Sequence, residues 1–155
     1  MVKKHSTIML WIIPLLFFIH NLEEAFQMPQ YLANQFSIYF IDNTQFIIAI
    51  TILTTIVLLI VILYQLQRIS SIYWIIFIQG AIFFNAVQHI ILFFIYRSYN
   101  PGVISASIIV LFSLFLFSSK QLLLHKKKLA ITLIFSLLSY PIITWISLLL
   151  ASCFN

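Results

Sequence analysis

The sequence predicts an all-α integral membrane protein, a single bundle of about five transmembrane helices, and three observations predict it. Hydrophobic residues fill 63% of the 155 positions and charged residues 7%, against about 25% charged in a soluble domain, and the mean hydropathy is +1.13. The apolar runs lack the in–out alternation of a membrane barrel, and two glycines and four prolines leave little material for the turns of many strands. Five apolar stretches approach the roughly 20 helical residues that span a hydrocarbon core about 30 Å thick. Helices and closed barrels are the structures that satisfy every backbone group in lipid, so helices remain. The chain reads as one polytopic domain over residues 1–155, in the cell membrane, multi-pass.

The first span is placed at residues 8–26. A basic start, Lys3 and Lys4, precedes it, but no small-x-small cleavage site follows, so it reads as a retained span and not a leader. Residues 27–45 form the one long connection. Its aromatics among Asn, Gln and Ser suit a short helix on the membrane surface or a lid over a site. Asp42 is expected to cap the helix that begins near Thr44. The second span covers 46–66. The third, 72–96, is long for one crossing and is expected to tilt or project. Tyr99-Asn100-Pro101-Gly102 gives a tight-turn signal before the fourth span at 103–119. The fifth is placed at 129–151.

Orientation follows from the basic residues, which stay cytoplasmic when they flank spans. Five crossings put Lys3, Lys4, Arg68, Lys120, Lys126, Lys127 and Lys128 on one side and leave Arg97 on the other. The N-terminus is therefore expected in the cytoplasm and the C-terminus outside. The net charge of +5 is thereby explained as a topology signal that also attracts lipid headgroups. Membrane lipid is the expected partner, and nucleic acid is not, because the charges follow no recognition motif. The single cysteine, Cys153, forms no internal disulfide and fits no zinc spacing.

Against this background, a few residues are out of place. The chain has three acidic side chains, and two of them, Glu23 and Glu24, follow His20 inside the first span. An ionisable residue at the middle of a span costs about 2.5–3.5 kcal/mol on the insertion scale. Positions i, i+3 and i+4 share a helix face, so His20, Glu23 and Glu24 form one stripe. The third span carries a second stripe in Asn85 and His89, with Gln88 between them. At 1.5 Å per residue the first stripe lies roughly 18–24 Å from Ile8, and the second lies roughly 20–26 Å from Ile72. Both spans run outward, so the two stripes are expected at one depth, in the outer half of the membrane.

Two imidazoles and two carboxylates are the ligand types of one divalent metal, zinc or non-haem iron; the metal set expected is His20, Glu23, Glu24 and His89. The same groups suit metal-free acid–base chemistry. They could also only fasten helices together, although interhelical polar contacts average about 0.6 kcal/mol in membranes, little beside the insertion cost.

His20-Asn21-Leu22-Glu23-Glu24 matches the naming motif of a family of small bacterial membrane proteins, the HXXEE-motif family, which the chain resembles. Asn85-Ala86-Val87-Gln88-His89 looks like that family's later N-x-x-x-H element, and Tyr99-Asn100-Pro101-Gly102 resembles its Y-x-P-G element. The resemblance runs from the first span to the fourth and implies no reaction.

The leading expectation is an intramembrane enzyme, a hydrolase or isomerase, acting on a lipid or other hydrophobic small molecule. His20, Glu23, Glu24, Asn85 and His89 would form the catalytic set, and Tyr99, Pro101 and Gly102 would shape the substrate mouth. Two other classes compete: a proton- or cation-coupled transporter, and a non-catalytic accessory or immunity-type protein.

Overall fold

The computed structural model describes residues 4–122 and 124–154; Lys3 of the basic N-terminal cluster lies outside the described residues. Six α-helices account for nearly all of them: α1 (Lys4–Glu24), α2 (Met28–Phe36), α3 (Asn43–Gln65), α4 (Tyr73–Tyr96), α5 (Val103–Ser118) and α6 (Lys126–Ser152), with a short 3₁₀ turn at Lys120–Leu122. No strand occurs among the described residues. The five apolar stretches become α1, α3, α4, α5 and α6, with ends displaced by four residues or fewer.

Helices α3, α4 and α6 are long and apolar enough to cross a membrane; α1 and α2, bent by 60° across a short break, make a fourth if the pair is one span. The fifth apolar helix, α5, has 16 residues. Large apolar side chains face outward on several helices. Leu15, Leu111, Phe115, Leu138 and Leu149 are each more than half exposed, on surfaces that a water-soluble monomer would cover.

The helices close a ring: α1 packs on α3 and α5, α3 on α6, α6 on α4, and α4 on α5. Close approach in such a ring depends on small residues. A side chain at Gly80 on α4 would put its Cβ 2.8 Å from the Cβ of Ser136 on α6, so Ser136 packs directly on the α4 backbone and donates to the Phe77 carbonyl at 2.9 Å. Hydroxyls that would be stranded in an apolar setting are returned to their own helices. Thr51, Thr54, Thr55, Ser113, Thr132 and Thr144 all donate to the carbonyl four residues before them, at 2.7–2.9 Å.

The long connection is built as α2 and an extended link. Asp42 accepts a hydrogen bond from the backbone N–H of Gln45 at 2.8 Å and caps α3, as its place before Thr44 predicts. Met28 and Tyr31 of α2 are buried in a second hydrophobic cluster with Ile41, Phe46, Ile50 and Leu148. That packing folds α2 over one end of the ring, where it forms part of a cavity wall.

Candidate functional site

The two polar stripes meet inside the ring. His20 and Glu24 project from the last turns of α1, and His89 from α4. All three are buried, at 0%, 6% and 6% exposure. Glu24 Oε1 lies 3.6 Å from His20 Nε2 and 2.8 Å from His89 Nε2. The rings stand at 89° with centroids 5.0 Å apart, and one ligand atom from each residue falls within 4.8 Å of the others. For bonds near 2.0 Å the edge of a coordination tetrahedron is about 3.3 Å, which the two shorter separations bracket.

Each imidazole is also held from behind. His20 Nδ1 lies 2.8 Å from Ser105 Oγ. Ser105 in turn donates to Glu23 Oε2 at 2.5 Å, which leaves its oxygen to accept from His20. His89 Nδ1 donates to Asn100 Oδ1 at 2.8 Å, and Asn100 Nδ2 returns a bond to the His89 carbonyl at 2.9 Å. These bonds place both ring protons on Nδ1 and aim both Nε2 lone pairs at Glu24. Such outer partners orient the histidines of metal sites. Asn85 Nδ2 donates to His20 Nε2 at 3.1 Å, beside the same convergence point. At 2.8 Å the His89–Glu24 contact contains one proton, which a bound cation would displace.

Glu23 has a different task from its neighbour. One of its oxygens accepts from the backbone N–H of Ile104 at 3.1 Å and from Tyr99 Oη at 3.0 Å; the other accepts from the N–H of Ser105 at 2.9 Å. Glu23 thus caps the N-terminus of α5 from another helix, where a carboxylate also meets the positive end of the helix dipole. The sequence predicts Glu23 among the metal ligands. The structure narrows the convergent set to His20, Glu24 and His89, because a carboxylate that holds α5 has both oxygens turned toward it.

The reason α5 needs a cap from elsewhere is Gly102. It occupies the N-cap position with φ +92° and offers no side chain for capping. A Cβ there would lie 2.8 Å from His20 Cε1, 3.1 Å from Glu24 Cγ and 3.2 Å from His89 Cε1. Gly102 therefore forms the roof of the cluster, and both the left-handed backbone and the close approach require glycine. Pro101, also buried, precedes it. Tyr99 is half exposed; burial first, and then its bond to Glu23, push its phenol above the ordinary value, so it stays a donor at neutral pH.

The cluster opens onto a cavity of about 450 Å³ lined by α1, α2, α3, α4 and α6. Most of its wall is Ile, Leu, Val and Phe; Asn21, Glu24, Asn85, Gln88, His89 and Asn100 supply its amide, carboxylate and imidazole groups. Gln88, on the second stripe, accepts from Tyr140 Oη of α6 at 2.8 Å. Sequence reasoning overlooked three contributors. Asn100 and Ser105 orient the two histidines, and Asn21 donates to Thr54 of α3 at 2.6 Å. Asn100 could have been suspected as an amide in a four-residue motif; nothing in the sequence distinguishes Ser105 from the other serines of the spans.

A protein-family model described as "Protein of unknown function with HXXEE motif" matches residues 11–117, which hold every residue of the cluster, its outer partners and its roof. No curated protein and no solved structure matches the chain.

Proposed function

The chain belongs to the HXXEE-motif family, and on that premise we propose that it is an intramembrane enzyme whose His20, Glu24 and His89 bind one divalent cation, zinc or iron. The observation that carries this reading is the direction of the two imidazoles. Each is anchored through Nδ1, by Ser105 or Asn100, and presents Nε2 to one carboxylate oxygen. A set of polar contacts that only fastened helices would have no reason to leave three donor atoms facing one point. Two histidines and a glutamate are a ligand set of catalytic zinc and of non-haem iron, with positions left open.

Such a cation, when bound, supplies a Lewis acid at the polar end of an apolar cavity. The chain's own residues do the rest. The apolar walls admit the hydrocarbon part of a substrate and exclude water. Asn85, beside His20 Nε2, orients the reacting group. Tyr99 and the Pro101–Gly102 turn stand outside the cavity lining; Tyr99 holds Glu23, and Gly102 roofs the cluster. The substrate is a lipid or another hydrophobic small molecule, and the reaction is a hydrolysis or an isomerisation. The lipid setting is part of the proposal: five helices cross the cell membrane, with the N-terminus in the cytoplasm and the C-terminus outside. This is supported by the placement of seven of the eight basic residues on one side.

Metal analysis of detergent-purified protein tests the reading, with wild type beside His20→Ala and a Ser107→Ala control. One zinc or iron per chain in wild type and control, lost in His20→Ala, is expected. Absence of metal from all three, after growth with either metal supplied, would end the cation reading in favour of acid–base chemistry or helix fastening.

A further inference from the structure

The cavity also indicates the class of molecule it takes, an inference that rests on reading the cluster as the working end of that cavity. About 450 Å³ lies within the roughly 300–1,000 Å³ of small-molecule sites. Its amide, carboxylate and imidazole lining comes from Asn21 and Glu24 of α1, Asn85, Gln88 and His89 of α4, and Asn100. The remaining wall is almost wholly apolar. Among the described residues no lysine or arginine lines the cavity, and Arg97, the basic residue nearest the site in sequence, is exposed at the end of α4.

We propose that the ligand is a neutral amphiphile, an elongated hydrocarbon bearing one or two uncharged oxygen functions such as an ester, alcohol or ketone, and not a phosphomonoester lipid. A phosphomonoester head brings about −1.5 to −2 charges and three strong acceptors. The wall opposes it with the carboxylate of Glu24, and two of its amide donors are committed, Asn21 to Thr54 and Asn100 to the His89 carbonyl. One divalent cation set against Glu24 leaves a single net positive charge, too little to match such a head.

An uncharged oxygen needs only one or two donors, and a second is present. Tyr31 of α2 is 9% exposed and lines the cavity, and its phenol oxygen is buried without a hydrogen-bond partner. Folded proteins rarely leave such a group unsatisfied. An oxygen on the ligand satisfies it.

The test uses three probes that share one oleoyl chain: monooleoylglycerol, oleic acid and oleoyl lysophosphatidic acid. Binding to the purified full-length protein is measured by native mass spectrometry from detergent. Saturable binding of monooleoylglycerol is expected, at least tenfold tighter than the phosphate. Ala81→Phe and Thr144→Phe, which push rings into the cavity from α4 and α6, are each expected to weaken it tenfold or more while helical content stays constant. Tyr31→Phe should weaken it several-fold. Equal or tighter binding of the lysophosphatidic acid overturns the proposal, as does wild-type affinity in both cavity-filling variants. Zinc and iron content, read in the same samples, separates the two readings. A metal-free protein that selects the neutral probe sinks the cation site alone; a metal-bound protein that prefers the phosphate sinks the neutral-amphiphile proposal alone.

Discussion

Adjacent glutamates in one motif do unlike work because a helix turns about 100° per residue. Glu24 faces His20 and His89; Glu23 faces the start of α5. The type of residue and its cost in lipid were readable from the chain, and so was the meeting of the first and third spans. Which carboxylate served which task was not, since that depends on where α5 begins in space. Gly102 is the most constrained single position. Alanine there combines a left-handed backbone, costing about 1–2 kcal/mol, with a contact at 2.8 Å to His20 Cε1. Gly102→Ala is expected to lower the thermal stability of the detergent-solubilised protein and to abolish metal binding. Gly102→Asn, which tolerates the backbone angle but keeps the Cβ, should recover stability in part and still bind no metal. A Gly102→Ala protein with full metal content would show that the roof does not touch the site.

Helices in lipid associate through packing and polar contacts, without a hydrophobic drive between them. The ring therefore depends on its close crossings. At Gly80 a Cβ would lie 2.5 Å from Ser136 Oγ and 2.8 Å from Ser136 Cβ. Rotating the hydroxyl relieves the first contact and not the second, so α4 and α6 must separate. Overpacking of this kind costs about 1–3 kcal/mol, and Gly80→Ala should show it as a loss of thermal stability. Adding Ser136→Gly, which removes both contacts, should restore part of the loss; no loss in Gly80→Ala would refute the close crossing. Hydropathy alone gave five of the six helices, with ends within four residues. The sixth, α2, was legible only as an alternative, a surface helix or a lid. Its short run of mixed residues does not reveal that Met28 and Tyr31 pack against α3 and α6.

At the scale of the molecule, the proposed orientation, with the N-terminus in the cytoplasm, would put the cluster near the outer face of the membrane. The chain carries its own reporter for that orientation. Cys153 is the single cysteine and is exposed just past the end of α6. A membrane-impermeant maleimide added to intact cells should label the unmodified protein, and Cys153→Ser should not be labelled. Labelling only after lysis would invert the topology and move the cluster toward the cytoplasm. The ring itself, with α1 lying between α3 and α5, was beyond sequence reasoning, because uniformly apolar helices carry no periodic stripe that names their neighbours.

The central claim is a cation held by His20, Glu24 and His89, with Glu23 as a supporting cap. Metal content per chain, measured for Glu24→Gln beside Glu23→Gln, separates the two adjacent carboxylates. The account predicts that Glu24→Gln loses the metal. It also predicts that Glu23→Gln retains it with affinity weakened by about 10–100-fold, the usual effect of an altered outer partner. Equal loss in both variants would contradict the division of labour, and full retention in Glu24→Gln would contradict the site.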